Sequence, residues 1–391
     1  MNLSRIMIVA QKEFKDGFRD RRAIYTVLLT TLLGPLLIAF MINQIAGQKK
    51  AAQEIQVPVV GREFAPVLVN WLAQQGGVEI VAGPSDPEAA VRDRKAELVL
   101  VIEKEFAEKF NQSNPAPVQV ISDSTRTATV PKVLRLTALL RTFSGETGSL
   151  RLIARGVSPA VASALKVEEV EVSSGQQRAA MIFSVIPMFL ILAGFTAGMQ
   201  IATDSTAGER ERGSLEPLLL NPVPRWQLMA GKWLAAAGAA LIGVIGTLAV
   251  TYQVLSKLSL EDLGVRFHLG VPQLILLLAA LAPMALLAPA TQVYLACFAK
   301  SFKEAQSYMS FLILGSMLPG IIGTFHPIGD QPWMRPLPVL GQYALANDIL
   351  SGKVPPAVEF IVAGAGVLIL AGVFLWMATR LLSSEKIIFG R

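Results

Sequence analysis

The 391-residue chain is 52% hydrophobic and only 16% charged, with a mean hydropathy of +0.50; soluble domains carry about a quarter charged residues, so much of this surface is built to face lipid. The net charge of +6 excludes little by itself, but no basic and aromatic recognition module accompanies it, so nucleic acid is not expected as a partner. A single cysteine, Cys297, rules out an intrachain disulfide framework and a multi-cysteine metal site.

Residues 1–22 read as an amphipathic cytoplasmic interfacial helix. Leu3, Ile6, Met7, Ala10, Phe14 and Phe18 recur at helical spacing, with Arg5, Lys12, Lys15 and Arg19 opposite. The alternative is a soluble helix that packs on a partner. Residues 23–46 then form an apolar run too long for a signal-peptide core, and read as a retained first transmembrane helix. Five further runs, at 179–203, 233–255, 271–299, 305–325 and 360–379, also reach the length of about 20 apolar residues that crosses a bilayer. None of the six contains Asp, Glu, Lys, Arg or His.

Between the first two runs, residues 47–178 are polar enough and long enough for one domain. Short β-branched runs at 57–61, 78–83, 97–103 and 117–122 alternate with helix-like stretches at 64–75, 87–96 and 104–111, the pattern of an α/β unit. A longer helical region at 130–154 and a strand-like 167–173 follow. Lys and Arg alternate between connections as the positive-inside rule requires if both termini are cytoplasmic: Arg210, Arg212, Arg225 and Lys232 follow the second run, and Lys300 and Lys303 the fourth. The expected fold is therefore a polytopic α-helical membrane protein of the inner (plasma) membrane. It is a six-helix transmembrane bundle with an extracytoplasmic α/β domain inserted between helices 1 and 2. Residues 179–391 carry helices 2–6, with a cytoplasmic segment at 204–232.

Prolines at 327, 332, 336 and 338 forbid a regular helix between the last two runs, where Trp333 and Tyr343 suit the membrane interface or a re-entrant element. Gly194 and Gly198 form a small-xxx-small pair that permits close helix approach, within the chain or at a subunit interface. Polar residues that could line a path are Asn43, Gln44, Thr196, Gln200, Thr247, Thr251, Gln253, Thr291, Gln292, Ser307, Tyr308 and Ser310. Many such groups simply bond neighbouring helices. The absence of intramembrane acids weakens a proton-coupled mechanism. No G-x-x-x-x-G-K-[ST] is present, and His268 and His326 lack the company a metal site needs, so no catalytic set, metal or bound cofactor is expected.

The most informative stretch runs from Gly208 to Pro222. Glu209, Arg210, Glu211 and Arg212 form a charge cluster, followed by Gly213, Ser214 as a helix cap, then Leu215, Glu216, Pro217, Leu218 and Leu219 before Pro222. Such an element suits a rigid peg, its leucines packed on a partner or on the bundle; the alternative is a solvated loop. With Gly231 and Lys232 at the next helix, this run resembles the signature of type-2 permeases of ATP-binding-cassette (ABC) exporters, especially NatB-like sodium-efflux permeases. The likeness extends over essentially the whole chain, with Ser214 where Thr is common.

The resemblance implies a non-catalytic permease that exports substrate, with sodium as a candidate. Its partners would be a separate cytoplasmic ABC ATPase subunit, which holds ATP and Mg, and a second permease copy or paralogue in the lipid bilayer. Residues Glu209–Glu216 would transmit nucleotide-driven closure. The competing readings are an ATPase-independent secondary transporter or channel, and a membrane-anchored sensor or scaffold.

Overall fold

In the computed structural model, residues 3–126, 129–162, 184–257, 269–325 and 332–382 are described. They divide into two units: residues 1–40 with 173–391, and residues 41–172. The expected strand at 167–173, His268 and His326 lie outside the described residues.

Among the described residues, six helices are long and apolar enough to cross a membrane: Ala23–Gln44, Val185–Glu211, Arg225–Lys257, Val271–Ala296, Phe302–Gly323 and Ala357–Leu382. In chain order the helices of this unit are α1 (Leu3–Arg19) and α2 (Arg21–Gln53), then, after the second unit, α7 (Val185–Glu211). A short α8 (Leu215–Leu219), α9 (Arg225–Lys257), α10 (Val271–Leu281) and α11 (Met284–Ala296) follow. The last three are α12 (Phe302–Phe325), α13 (Leu340–Leu350) and α14 (Ala357–Leu382). The second unit holds β1 (Ile55–Val60), α3 (Pro66–Ala73), β2 (Val78–Ala82), α4 (Pro87–Arg92) and β3 (Leu98–Ile102). It closes with α5 (Glu105–Asn111), β4 (Val118–Ser122) and α6 (Val130–Ala154).

The bundle is built around α9, because that helix presents a face of minimal bulk. Ala235, Ala236, Ala239, Ala240 and Gly243 are all buried. A β-carbon placed on Gly198 of α7 would lie 2.4 Å from the Ala236 carbonyl oxygen, and one on Gly243 would lie 2.3 Å from Cβ of Ala197. Small residues at both sides of the crossing let the two backbones touch. Gly194 faces Val244 of the same helix, so the Gly194/Gly198 pair serves packing inside this chain. The outer helices α2, α12 and α14 expose Leu29, Phe311 and Ile369, the composition of a surface that meets hydrocarbon.

Three expectations from sequence are corrected. The second span does not stop at Thr203: it continues through a π-helical turn, Asp204–Gly208, to Glu211. The fourth, Val271–Ala296, is one span but carries a two-residue break at Ala282–Pro283, where the missing N–H and bulky ring of Pro283 interrupt the ladder. Between the last two spans the proline-rich segment is followed by a regular buried helix, α13. Its first turn is secured by Gln342, whose Oε1 accepts from the Val339 N–H at 2.9 Å while Nε2 donates to the Ala363 carbonyl at 2.9 Å. Tyr343 is buried and donates to the Ser184 carbonyl at 3.2 Å.

In the second unit the sheet order is β2-β1-β3-β4, parallel except for the antiparallel β3/β4 pair. On β1, Ile55, Val57 and Val59 point inward on alternate residues. Central β3 is buried along nearly its whole length, as a strand covered on both faces must be. Leu68, Leu72, Phe106, Leu136 and Phe143 complete the core.

The α7/α9 crossing is testable. Gly198→Val should destabilise the purified protein by about 1–3 kcal/mol through overpacking, seen as a lowered Tm in detergent. Gly315→Ala, where an added methyl meets no atom within 4 Å, should leave Tm unchanged or raise it.

Candidate coupling site

At one end of the bundle, α1 lies across α7 and α9. Its approach is close enough that a β-carbon on Gly231 of α9 would sit 2.6 Å from Cβ of Val9, and one on Gly17 would sit 2.5 Å from Cγ1 of Ile201. Phe14 and Phe18, with ring centroids 4.6 Å apart, pack on a core of Ile201, Leu215, Met229 and Ala236. The helix therefore packs on its own bundle, through a face that carries one acid in its middle, Glu13.

Glu13 is there to meet a lysine. Lys232, in the early turns of α9, is completely buried, and Glu13 and Glu209 are each only 6% exposed. Its Nζ donates to Oε2 of Glu209 at 2.6 Å, to Oε1 of Glu13 at 3.5 Å and to the carbonyl of Ser205 in the π-helical turn. Lys12 closes the cluster from the surface, at 3.1 Å from Glu13 and 3.3 Å from Glu209. Burial alone would lower the Lys12 pKa, but the hydrogen bonds and charges of Glu13 and Glu209 outweigh it and hold that ammonium above the ordinary lysine value. Two ammonium groups thus face two buried carboxylates, with Asp16 3.6 Å from Lys12 at the rim, and three helices share one polar knot.

The rest of the charged run also turns inward. Glu211 accepts from the Phe302 N–H at 2.6 Å, an anion on the first turn of α12. Arg210 donates to the carbonyls of Cys297 and Ala299 at 3.5 and 3.3 Å, just past the end of α11. Arg212 grips Asp204 across the π-helical turn with bonds of 2.8 and 3.2 Å. Gly213, at φ 69°, ends the helix: its N–H donates to the Arg210 carbonyl and that of Ser214 to the Glu209 carbonyl, the paired closure of a Schellman motif. Ser214 makes no side-chain cap for α8, contrary to expectation; its Oγ donates back to the Glu209 carbonyl at 3.2 Å. Leu215 is buried and Leu219 packs on the same core. What projects is small: Pro217, Leu220, Asn221 and Pro222 are exposed, with Leu220 at 86%. Glu216 lies on α8, and its side chain is outside the described set.

The expected pathway residues do not converge. Asn43, Gln44, Gln253, Ser307 and Ser310 are exposed. The hydroxyls of Thr196, Thr251, Thr291, Ser307 and Ser310 bond back to their own helices, and Tyr308 bonds Glu304 one turn away at 2.7 Å. Gln200 reaches Gln306 at 3.4 Å. Gln292 and Thr247 differ: each is fully buried, and Oε1 of Gln292 and Oγ1 of Thr247 find no partner among the described residues. Sequence reasoning passed over Glu13 and Lys12 as site residues; it counted Lys232 among the loop charges and as a residue of the signature, without a partner for it.

A six-span bundle gripping an amphipathic helix and a Glu-rich turn is the architecture of a membrane permease, and the chain belongs to the ABC-2 family of transporter proteins, whose model matches residues 25–380. The chain is similar to the ABC transporter permease protein NatB of Bacillus subtilis (strain 168): 28% of residues are identical over 393 positions, covering 97% of this chain and 98% of that protein. It is thus the permease component of an ABC transporter, a multi-pass membrane protein rather than a catalytic subunit. ABC permeases in general work with an ATPase partner.

Removing one member of a buried charge cluster strands the others. Lys232→Met should cost roughly 3–5 kcal/mol and lower the Tm accordingly. Combining it with Glu13→Gln and Glu209→Gln should recover more than half of that loss, because no buried carboxylate is then left unpaired.

Proposed function

We propose that this permease exports its substrate by coupling to ATP hydrolysis on a separate cytoplasmic ATPase subunit that carries ATP and Mg, and that it works beside a second permease copy or paralogue. In this reading both termini are in the cytoplasm of a plasma-membrane protein and the α/β unit stands on the opposite side. Sodium is the cargo to test first, because the resemblance to sodium-efflux permeases points there. Gln292 and Thr247 are the polar residues best suited to meet a substrate, because their buried oxygens have bonding capacity to spare.

The observation that carries the reading is the ion cluster that ties α1, α7 and α9 at Lys232. A partner that pushes on the exposed Pro217–Pro222 tip acts on a short helix fixed to the end of α7 by the Gly213 closure. Glu209 sits in that same closure, so displacement of the tip loads the ion cluster and, through it, α1 and α9. Buried Glu209 is then an internal transmission element, and the contact surface is the apolar tip.

Two measurements separate these roles. Proteoliposomes holding the chain with its ATPase should show ATP-dependent sodium flux, whereas the chain alone should show none; flux without ATPase would establish the channel or secondary-transporter alternative. Leu220→Asp should weaken ATPase association by roughly tenfold, as loss of an apolar interface anchor does, with an unchanged Tm. Full association in that variant would move the contact elsewhere.

A further inference from the structure

The α/β unit contains a cavity that the coupling machinery does not use. Its floor is aromatic: Phe106 and Phe110 stack at 5.3 Å, and Phe143 lies 6.3 Å from Phe110, also stacked. Ser144 and Thr147 of α6 line it, and its volume is about 300 Å³. The guanidinium of Arg151 stands over the Phe110 ring at 4.6 Å and donates to the Phe110 carbonyl at 2.7 Å. A second cavity of about 440 Å³ shares Ser113, Gly148 and Arg151 with the first and adds Arg155, so the two adjoin along a shared wall and together make up a groove. Neither is lined by an aspartate or glutamate. At Gly148 an added β-carbon would meet no atom within 4 Å, so the groove is open on that side.

An apolar floor that leads to a pair of guanidinium groups selects a particular chemistry. The floor rewards burial of a ring or short chain, a strongly hydrated ion would lose its water there without return, and a ligand cation is repelled by the Arg151 and Arg155 charges. Arginine presents five N–H donors in a fork matched to a carboxylate. The volume lies at the small end of about 300–1,000 Å³ for small-molecule sites, too small for a helix or a folded partner. We propose that this groove binds a small organic anion: an apolar ring or short chain over Phe106, Phe110 and Phe143, and one carboxylate on Arg151 and Arg155. The site is independent of the coupling cluster and of the direction of transport.

The test uses the full chain in lipid nanodiscs, titrated calorimetrically with phenylbutyrate, and with phenylbutanol and phenylbutylammonium as charge controls, against empty nanodiscs. Saturable binding of phenylbutyrate, at least about tenfold tighter than either control, is expected. Gly148→Leu, which fills open space, should abolish it. Arg155→Gln, at an exposed position, should weaken it by about tenfold and bring the carboxylate down to the alcohol, with Tm unchanged in both variants. The proposal is overturned if phenylbutyrate shows no saturable binding, if Gly148→Leu binds as the parent does, or if the alcohol or ammonium binds as tightly as the acid.

Discussion

The bundle depends on a charge that has no access to water. An ammonium buried without compensation costs several kcal/mol even after relaxation, so Lys232 is tolerable only where Glu13, Glu209 and the Ser205 carbonyl converge on it. That requirement fixes the azimuth of α1, the depth at which α7 ends and the rotation of α9 all at once. Apolar packing alone would permit many sliding arrangements among alanine-rich faces; a buried ion cluster permits very few. The glycines at Gly17 and Gly231 are the steric counterpart, since they allow α1 to come near enough for its carboxylate to reach.

The charged run at the end of α7 follows the same rule. Its four ionic side chains are engaged by helix ends and by charges elsewhere on the bundle: Glu211 at the start of α12, Arg210 past the end of α11, Arg212 on Asp204 and Glu209 on Lys232. A turn tied down at four points moves as a body with the helices it caps. Its glycine is required by backbone geometry, because the closing residue sits in the left-handed region. Leucines divide by depth along the same segment, with Leu215 inside and Leu220 outside.

The spans were legible because lipid demands long apolar runs, and five of the six were placed as single helices; the break at Pro283 followed from a proline inside a run that composition alone could not interrupt. The strands of the second unit lie on the β-branched runs, where alternation such as Ile55, Val57 and Val59 is a local signal. The candidate site was legible in part. Residues 208–222 stand out by charge and turn chemistry, and Lys232 by its place after Gly231, but the pairing of Lys232 with Glu13 could not be read because the two are 219 positions apart. Nothing local marks Glu13: it interrupts an apolar stripe as any exposed glutamate would. Helix α13 was hidden by the prolines before it, since its stability comes from Gln342 and Tyr343 reaching α14 and α7 rather than from propensity. Hydroxyls in the spans were indistinguishable in sequence because back-bonding to the preceding turn leaves no pattern.

The buried lysine also bears on how the chain is made. Synthesis proceeds from the N-terminus, and Glu13 and Glu209 both precede Lys232, so each acid has left the ribosome before the amine appears. When α9 emerges, the two acids that answer Lys232 are therefore already part of the chain. A circular permutation that placed α1 last would delay Glu13 alone, so that Lys232 would emerge with Glu209 but without its second acid.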